Sequence, residues 1–348
     1  MKRTNFTLAV SKIAIALAFL LGGAAANAAD APTNDFAGAW FSGVQENDLV
    51  VRTDRHYTQG LRVNWLSAER EADCDVWFAR WATKLPDLRA NFAAVRWGTG
   101  FGQSIYTPTD LQLTTLQLGD RAYAGFLYVP FVLQRRGMTT KDNPVLDHWE
   151  LDLGIIGPQA LGDEAQNTVH RIRHIPESRG WANQLQTEPG IALKFQRTWR
   201  YPLGDDAGFS VQALPHWGAS FGTSLTYLAV GGQLRTGFRV PRDFGIGTID
   251  SLSPGSGGWA KSAWPGWGAF IFAGVEGRVI GWNNFLEGGL LHAGHRVPAH
   301  PLVGDVKFGV ALAFKRWDLS FTQVARTKEF LGQKEVDAFG ALALRVKW

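Results

Sequence analysis

The run Gln166-Asn167-Thr168-Val169-His170 sets a glutamine and a histidine four residues apart. At that spacing both fall on one face of a helix. An imidazole titrates near neutrality and can take a proton from water as a general base. Glu177 follows closely enough to orient the imidazole or to help hold a metal. Two other runs offer complementary chemistry. Glu46-Asn47-Asp48 puts a carboxylate beside a carboxamide, a source of the hard oxygen ligands that Ca2+ prefers. Thr53 to Gly60 reads TDRHYTQG and contains Thr58, whose hydroxyl can donate to a developing oxyanion. Each run also has a plainer meaning: a polar strand end, a solvated turn at Asp54, Arg55 and His56, and a solvated histidine on a surface helix. HExxH is absent, and the single GxSxG match, Gly218 to Gly222, falls between two strand-like segments rather than at a strand-to-helix turn, so a hydrolase built from these residues activates water rather than forming an acyl-enzyme.

The segments around Gly157 to Trp181 differ from it in kind, because they alternate apolar and polar residues at period two. Leu61, Val63 and Trp65 share one face, with Thr58, Gly60, Arg62 and Asn64 on the inward one. Trp149, Leu151, Leu153 and Ile155 oppose His148, Glu150 and Asp152. Val306 to Phe314 and the terminal LALRVKW repeat the pattern. The count comes to roughly twelve strands of about ten residues, an even number as a closed bacterial barrel requires. Closure is obligatory, since an open sheet edge in hydrocarbon leaves backbone groups unpaired. The expected fold is therefore all-β: a closed antiparallel transmembrane β-barrel with a short helix and loop insertion carrying the reactive residues. Many inward positions are Gly, Ala, Ser or Thr, which predicts a narrow lumen filled by side chains. Residues 67 to 91 read as a surface loop or short helix, Arg239 to Trp267 as a long external loop rich in Gly, Pro and Ser, and Gly281 to Pro301 as another loop.

Composition agrees with export to an outer membrane. A basic start at Lys2 and Arg3, an apolar stretch from Ile13 to Leu21 and the small residues Ala26-Asn27-Ala28 predict a cleaved signal peptide over residues 1–28. A single barrel domain is expected over 29–348. No long apolar run follows, yet the chain holds 15 Trp, 22 Phe and 40 Gly at a mean hydropathy of −0.10. Dispersed apolar residues of that kind suit membrane strands. The net charge of +4, with acids and bases interspersed, gives no sign of nucleic acid. Cys74 is the only cysteine, so no internal disulfide forms.

Together these runs resemble the outer-membrane lipid A 3′-O-deacylase family. The matching pieces are Asn47-Asp48, Asp54 to Gly60, Ile105-Tyr106-Thr107-Pro108, Gly119 to Tyr123, Gly154 to Pro158 and Gln166 to Arg171. The resemblance covers most of the mature chain and is strongest from Asn47 to Trp199. It implies a twelve-stranded barrel whose active site lies between barrel wall and helix, near the outer leaflet of a Gram-negative outer membrane. It also implies Ca2+-dependent hydrolysis of the ester that holds the 3′-acyloxyacyl chain on lipid A. Asn47, Asp48, Thr58, Gln166 and His170 fall on the family's site positions, and Glu177 falls close to one. Where some members carry a lysine after the Tyr-x-Pro run, residues 109 to 119 contain Asp110 and no Lys or Arg. The expected mechanism has His170 deprotonate water, Asp48 hold Ca2+, Asn47 or Thr58 complete an oxyanion site, and Gln166 and Glu177 position the other groups. The expected partners are lipid A or lipopolysaccharide and the surrounding lipid, with no obligate protein partner. Two alternatives share the elements: an outer-membrane phospholipase acting on glycerophospholipids, and a non-catalytic barrel serving as pore or scaffold.

Overall fold

The computed structural model describes residues 38–48, 55–249, 251–252, 266–314 and 316–347. The expected signal peptide, Asp54 and the terminal Trp348 lie outside the described residues. Strands dominate: β1 (Trp40–Asn47), β2 (His56–Leu66), β3 (Arg70–Glu71), β4 (Ala90–Thr107), β5 (Ala124–Thr139), β6 (Pro144–Ile156) and β7 (Glu188–Trp199) form the first half. β8 (Tyr201–Asp206), β9 (Phe209–Gly222), β10 (Leu225–Phe238), β11 (Gly268–Asn283), β12 (Leu302–Ala313), β13 (Trp317–Arg326) and β14 (Asp337–Lys347) complete the set. β3 pairs only with β4, and β8 only with β9. The remaining twelve run antiparallel around one sheet, which the β14–β1 and β9–β10 pairings close. No barrel edge is left open, as hydrocarbon demands. The barrel strands are 8 to 18 residues long, so several project beyond the ten-residue membrane band.

Alternation decides what each face meets. Leu61, Phe101, Leu153, Leu193, Ile271 and Phe308 stand exposed on the outer wall. Between them, charged side chains are buried in the lumen. Arg62 donates two hydrogen bonds to Glu150, at 2.9 and 2.7 Å, and Lys194 reaches both Glu150 (3.1 Å) and Asp152 (2.6 Å). Across the barrel, Asp305 accepts from Arg278 at 3.1 Å and from Arg326 at 2.8 and 2.9 Å. The narrow lumen is thus filled, but by ion pairs rather than mainly by small residues. Buried charges persist only when paired in this way.

Of the segment read from sequence as an external loop after β10, the described residues 240–249 and 251–252 lie inside the barrel as a plug. Arg235 is fully buried and bonds Asp243 and the carbonyl of Pro241, while Gln233 exchanges two hydrogen bonds with Ile246 at 3.1 and 3.2 Å. The backbone N–H of Ile249 reaches Glu46 Oε1 at 2.7 Å, at the far end of β1. A polar lumen needs polar partners, and a Gly- and Ser-rich chain can enter it without displacing bulk. The stretch 67–91 contains β3 and a short helix, α1 (Trp77–Ala82). Cys74 packs partly buried beside Phe78 there, at the rim opposite the histidine-bearing helix.

The lumen network gives a stability prediction. Replacing Glu150 with Ala strands Arg62 and Lys194 without their shared carboxylate, which costs about 3–5 kcal/mol. The E150A barrel should lose its compact, heat-modifiable form at a lower temperature than wild type when samples are graded by heating before electrophoresis.

Candidate functional site

Five strand ends meet at one rim: the ends of β1, β4 and β6 and the starts of β2 and β5. There the pairings line up Asn47, Gln59, Ile105 and Gly125 across four neighbouring strands. At about 4.8 Å per strand, this row spans roughly 14 Å of the outer wall. It lies on the outer face because Glu46, its neighbour, points inward to Tyr57 and the plug.

The sequence expectation for Thr58 is overturned in one respect. Period two puts its side chain inward, but the β2–β4 register shifts between Tyr57 and Gln59, making Thr58 the extra residue of a bulge. Tyr57 keeps the inward direction, against Tyr106 and Phe339. Thr58 turns outward, its hydroxyl 2.6 Å from that of Thr107, and Asn47 Nδ2 donates to its carbonyl at 3.2 Å. Asp48, almost fully buried, accepts the Arg55 backbone N–H at 2.5 Å. Asn47, Thr58 and Thr107 therefore form one polar cluster at the rim, and Asp48 follows Asn47 at the end of β1 with its carboxylate on Arg55.

Over this wall lies α2 (Gly162–Ile172), packed on β4 and β5. A close approach of two glycines seats it. A Cβ on Gly125 would lie 3.0 Å from that of Ala160 and 3.2 Å from the Gly162 nitrogen, and a Cβ on Gly162 would lie 3.3 Å from Gly125 Cα. Gln103 donates to the Ala160 carbonyl at 2.7 Å, and Ile105, Leu111, Tyr123, Trp181 and Ala165 pack between wall and helix. Gln166, Asn167 and His170 occupy the buried face of α2, as their spacing predicts.

The loop after α2 folds back to hold it. Asn167 Oδ1 accepts the Ser178 N–H at 2.7 Å, and its Nδ2 donates to Asp163 (2.6 Å) and the Ser178 carbonyl (3.2 Å). That clamp places the Pro176 carbonyl 2.7 Å from His170 Nδ1. A carbonyl only accepts, so Nδ1 is a donor, and in the neutral tautomer Nε2 is the basic nitrogen. Trp181 Nε1 donates to Gln166 Oε1 at 2.9 Å, fixing the amide, whose buried Nε2 has no acceptor among the described residues. A buried donor left in that state costs about 1–3 kcal/mol, which a ligand oxygen would recover. Glu177 is placed differently. Its side chain is exposed and faces Arg171 at 3.3 Å, on the solvent side of the loop.

A second cluster braces the rim. His56 is buried, with a left-handed φ of 63°, its Nδ1 2.8 Å from both oxygens of Asp337 and its Nε2 3.4 Å from Asp120. These bonds hold a backbone conformation that few non-glycine residues adopt. Burial acts to raise the Asp120 carboxyl, but hydrogen bonds from His56 and Thr109 and the His56 charge outweigh it and hold that carboxyl well below the usual carboxylate range. Trp181, Thr107, Ser178 and the His56–Asp120–Asp337 group were not singled out from sequence. Thr107, His56 and Asp120 fall within the runs that carry the resemblance, Ser178 and Trp181 within the polar stretch from Gly157 to Trp181, and Asp337 in none, while nothing in the pattern around Trp181 distinguishes it from the other tryptophans.

A closed antiparallel barrel with an apolar outer wall, a charged lumen and a helix laid over polar groups on that wall defines an outer-membrane β-barrel protein. The chain belongs to the family of outer membrane protein LpxR, whose model matches residues 13–348. Among solved structures, LpxR from Salmonella typhimurium superposes with a TM-score of 0.69 at 22% identity, over 89% of this chain and 100% of that one. The β domain of the Bordetella autotransporter BrkA reaches a TM-score of 0.44 at 10% identity, covering 90% of this chain and 100% of that one. No curated protein matches by sequence.

Two outcomes test the brace and the clamp. Asn167→Ala should free the loop and speed amide exchange at Ser178 by tenfold or more, following a loss of about 1–3 kcal/mol. The depressed Asp120 carboxyl contributes stability that is complete above its unfolded value of about 3.9 and is lost as pH falls through the lower folded value. Wild-type segment 107–124 should therefore stay protease-resistant until pH drops below about 4, whereas D120N should already be cut faster at pH 7.

Proposed function

We propose that the protein hydrolyses the ester of the 3′-O-linked acyloxyacyl chain of lipid A from the outer face of its own barrel. The observation that carries this reading is the buried face of α2: Gln166 and His170 stand on it, the helix packs on β4 and β5, and Thr107 at the end of β4 bonds Thr58 on the neighbouring strand. Lipid acyl chains reach that face without leaving the membrane, and the apolar wall beside it receives them. Family membership supports the substrate class.

In this mechanism His170 Nε2 takes a proton from water, and the resulting hydroxide attacks the ester carbonyl carbon. The bond between that carbon and the sugar oxygen then breaks. The proton passes from His170 to the departing alkoxide, giving a free carboxylic acid and a sugar hydroxyl. Pro176 holds the imidazole in the tautomer this requires. Gln166 Nε2 and the Thr58 hydroxyl donate to the oxyanion, positioned by Trp181 and Thr107. Glu177 acts through the loop that carries Pro176, by way of its pair with Arg171. Exposed Arg173 and Arg179 in the same loop supply the cationic charge that residues 109–119 lack.

The donor chemistry near Asp48 fits Ca2+. A carboxylate, a carboxamide oxygen, hydroxyls and backbone carbonyls are hard ligands, and Cys74 is at the other rim. Among the described residues no three His, Cys, Asp or Glu side chains cluster, so Asp48 would hold the ion with neutral oxygens. When bound, the ion would polarise the ester carbonyl. A site with so few charges belongs at the weak end of the Ca2+ range, at about 10⁻⁴–10⁻³ M.

His170→Ala should lower deacylation about 10²–10⁴-fold while leaving the barrel folded. Mass spectrometry of lipid A, with and without chelator, reads both claims. Undiminished activity in H170A removes the histidine from the chemistry, and chelator resistance removes the metal. Release of fatty acid from glycerophospholipids with lipid A untouched would overturn the substrate assignment.

A further inference from the structure

On the outer wall formed by β10 to β13, away from α2, the apolar surface opens into a cavity of about 590 Å³. That size is within the ~300–1,000 Å³ typical of small-molecule clefts. Its floor is the cross-strand pair Gly277 and Gly304. A Cβ built on Gly277 meets nothing within 4 Å, so open space stands where other outward positions carry large apolar side chains. Val230, Val275, Val279, Leu302, Val306 and Val336 make the sides.

The end of this groove toward the α2 rim is cationic. His300 and Lys328 line it, on the extension of the β12–β13 hairpin. That extension is firmly built. Thr327 and Gly304 exchange hydrogen bonds at 2.9 and 2.8 Å, His300 N–H donates to the Glu329 carbonyl at 2.7 Å, and Ala299 bridges buried Phe330. The carboxylate next to Lys328, that of Glu329, is engaged by Arg121 and Arg326 at 3.2 and 3.5 Å. Lys328 has no ion-pair partner among the described residues.

We infer that this groove is a second lipid site, in which an acyl chain of a phosphorylated lipid A molecule lies over Gly277 and Gly304 while its phosphate meets Lys328 and His300. The occupant follows from charge and position: an apolar trough in a membrane-facing wall accepts a hydrocarbon chain, and a cationic end at the headgroup level selects an anionic head. The inference rests on the proposed function only for the leaflet that this rim faces. A chain held here would be remote from His170, several strands around the barrel, so it would not be the substrate undergoing hydrolysis.

The test counts lipids on the full-length barrel by native mass spectrometry in mild detergent. The probes are bisphosphorylated hexa-acyl lipid A, its dephosphorylated form and dipalmitoyl phosphatidylcholine. Gly277→Leu fills the trough at a position with room for a side chain, and Lys328→Gln removes the charge. In a His170→Ala background, bisphosphorylated lipid A should bind with one more copy per barrel than in the same protein carrying G277L. K328Q should weaken that extra copy about tenfold or more, and phosphatidylcholine should not supply it. Equal counts with and without G277L, or equal retention of phosphatidylcholine and lipid A, would overturn the site. Deacylation by the G277L single variant should match wild type. If lipid A is never hydrolysed by wild type yet the G277L-sensitive copy persists, the enzyme reading fails and the groove stands. A chain that is hydrolysed normally with no G277L-sensitive copy gives the reverse.

Discussion

A sheet closed in hydrocarbon must keep polar side chains inside and apolar ones outside, and the candidate site exists because that rule is broken at one place. Asn47, Gln103, Thr58 and Thr107 are all on the outer face at the α2 rim. Bare to lipid, each would leave hydrogen-bonding groups without partners at a cost of several kcal/mol. Two features remove that cost. The bulge at Thr58 pairs the two threonine hydroxyls with each other, and the segment ending in α2 takes the Gln103 amide on its carbonyls. The helix is therefore the lid that lets a polar cluster survive on a lipid-facing wall.

The lid in turn depends on small residues and on a folded-back loop. Gly125 and Gly162 bring α2 against β5 more closely than any side chain allows. Once there, the helix exposes no hydrophobic seam broad enough to hold it alone, and its return loop does the rest through Asn167, Ser178 and Pro176. The same loop sets the tautomer of His170. Structure and protonation are thus coupled through one backbone carbonyl.

Much of this arrangement was legible in the sequence. Strand alternation, the helical run between two strands and the 166/170 spacing follow from periodicities of two and 3.6, which survive without knowledge of partners. What escaped depends on register and on non-local partners. Thr58 was assigned inward because a period-two count assumes an unbroken ladder, and a single inserted residue reverses every direction before it. The segment after β10 carries the composition of a solvent loop, and only the buried Arg235, Gln233 and Glu46 that it satisfies reveal it as a plug. The lumen charges are visible as Arg62, Glu150 and Asp152, but pairing across the barrel has no local signature. Glu177 shares a loop with Pro176, and sequence distance alone could not tell which would turn toward His170.

The plug also bears on what kind of protein this is. Glu46 and Asn47 are adjacent, so they point to opposite sides of the wall. Glu46 accepts the Tyr57 hydroxyl at 2.7 Å and the Ile249 N–H at 2.7 Å, inside the lumen. Asn47 bonds the Thr58 carbonyl outside. The end of β1 is consequently gripped from within while it presents the site without. Lys307 approaches Thr248 and Ser251 of the plug at 3.5 and 3.3 Å, which adds a second hold from β12, three strands around the barrel from β1. A conducting barrel keeps its interior polar and wet, whereas the described lumen side chains of this barrel pair with one another and with the plug. The lumen is a brace for the wall, and the strand end it grips carries Asn47 on the outer face.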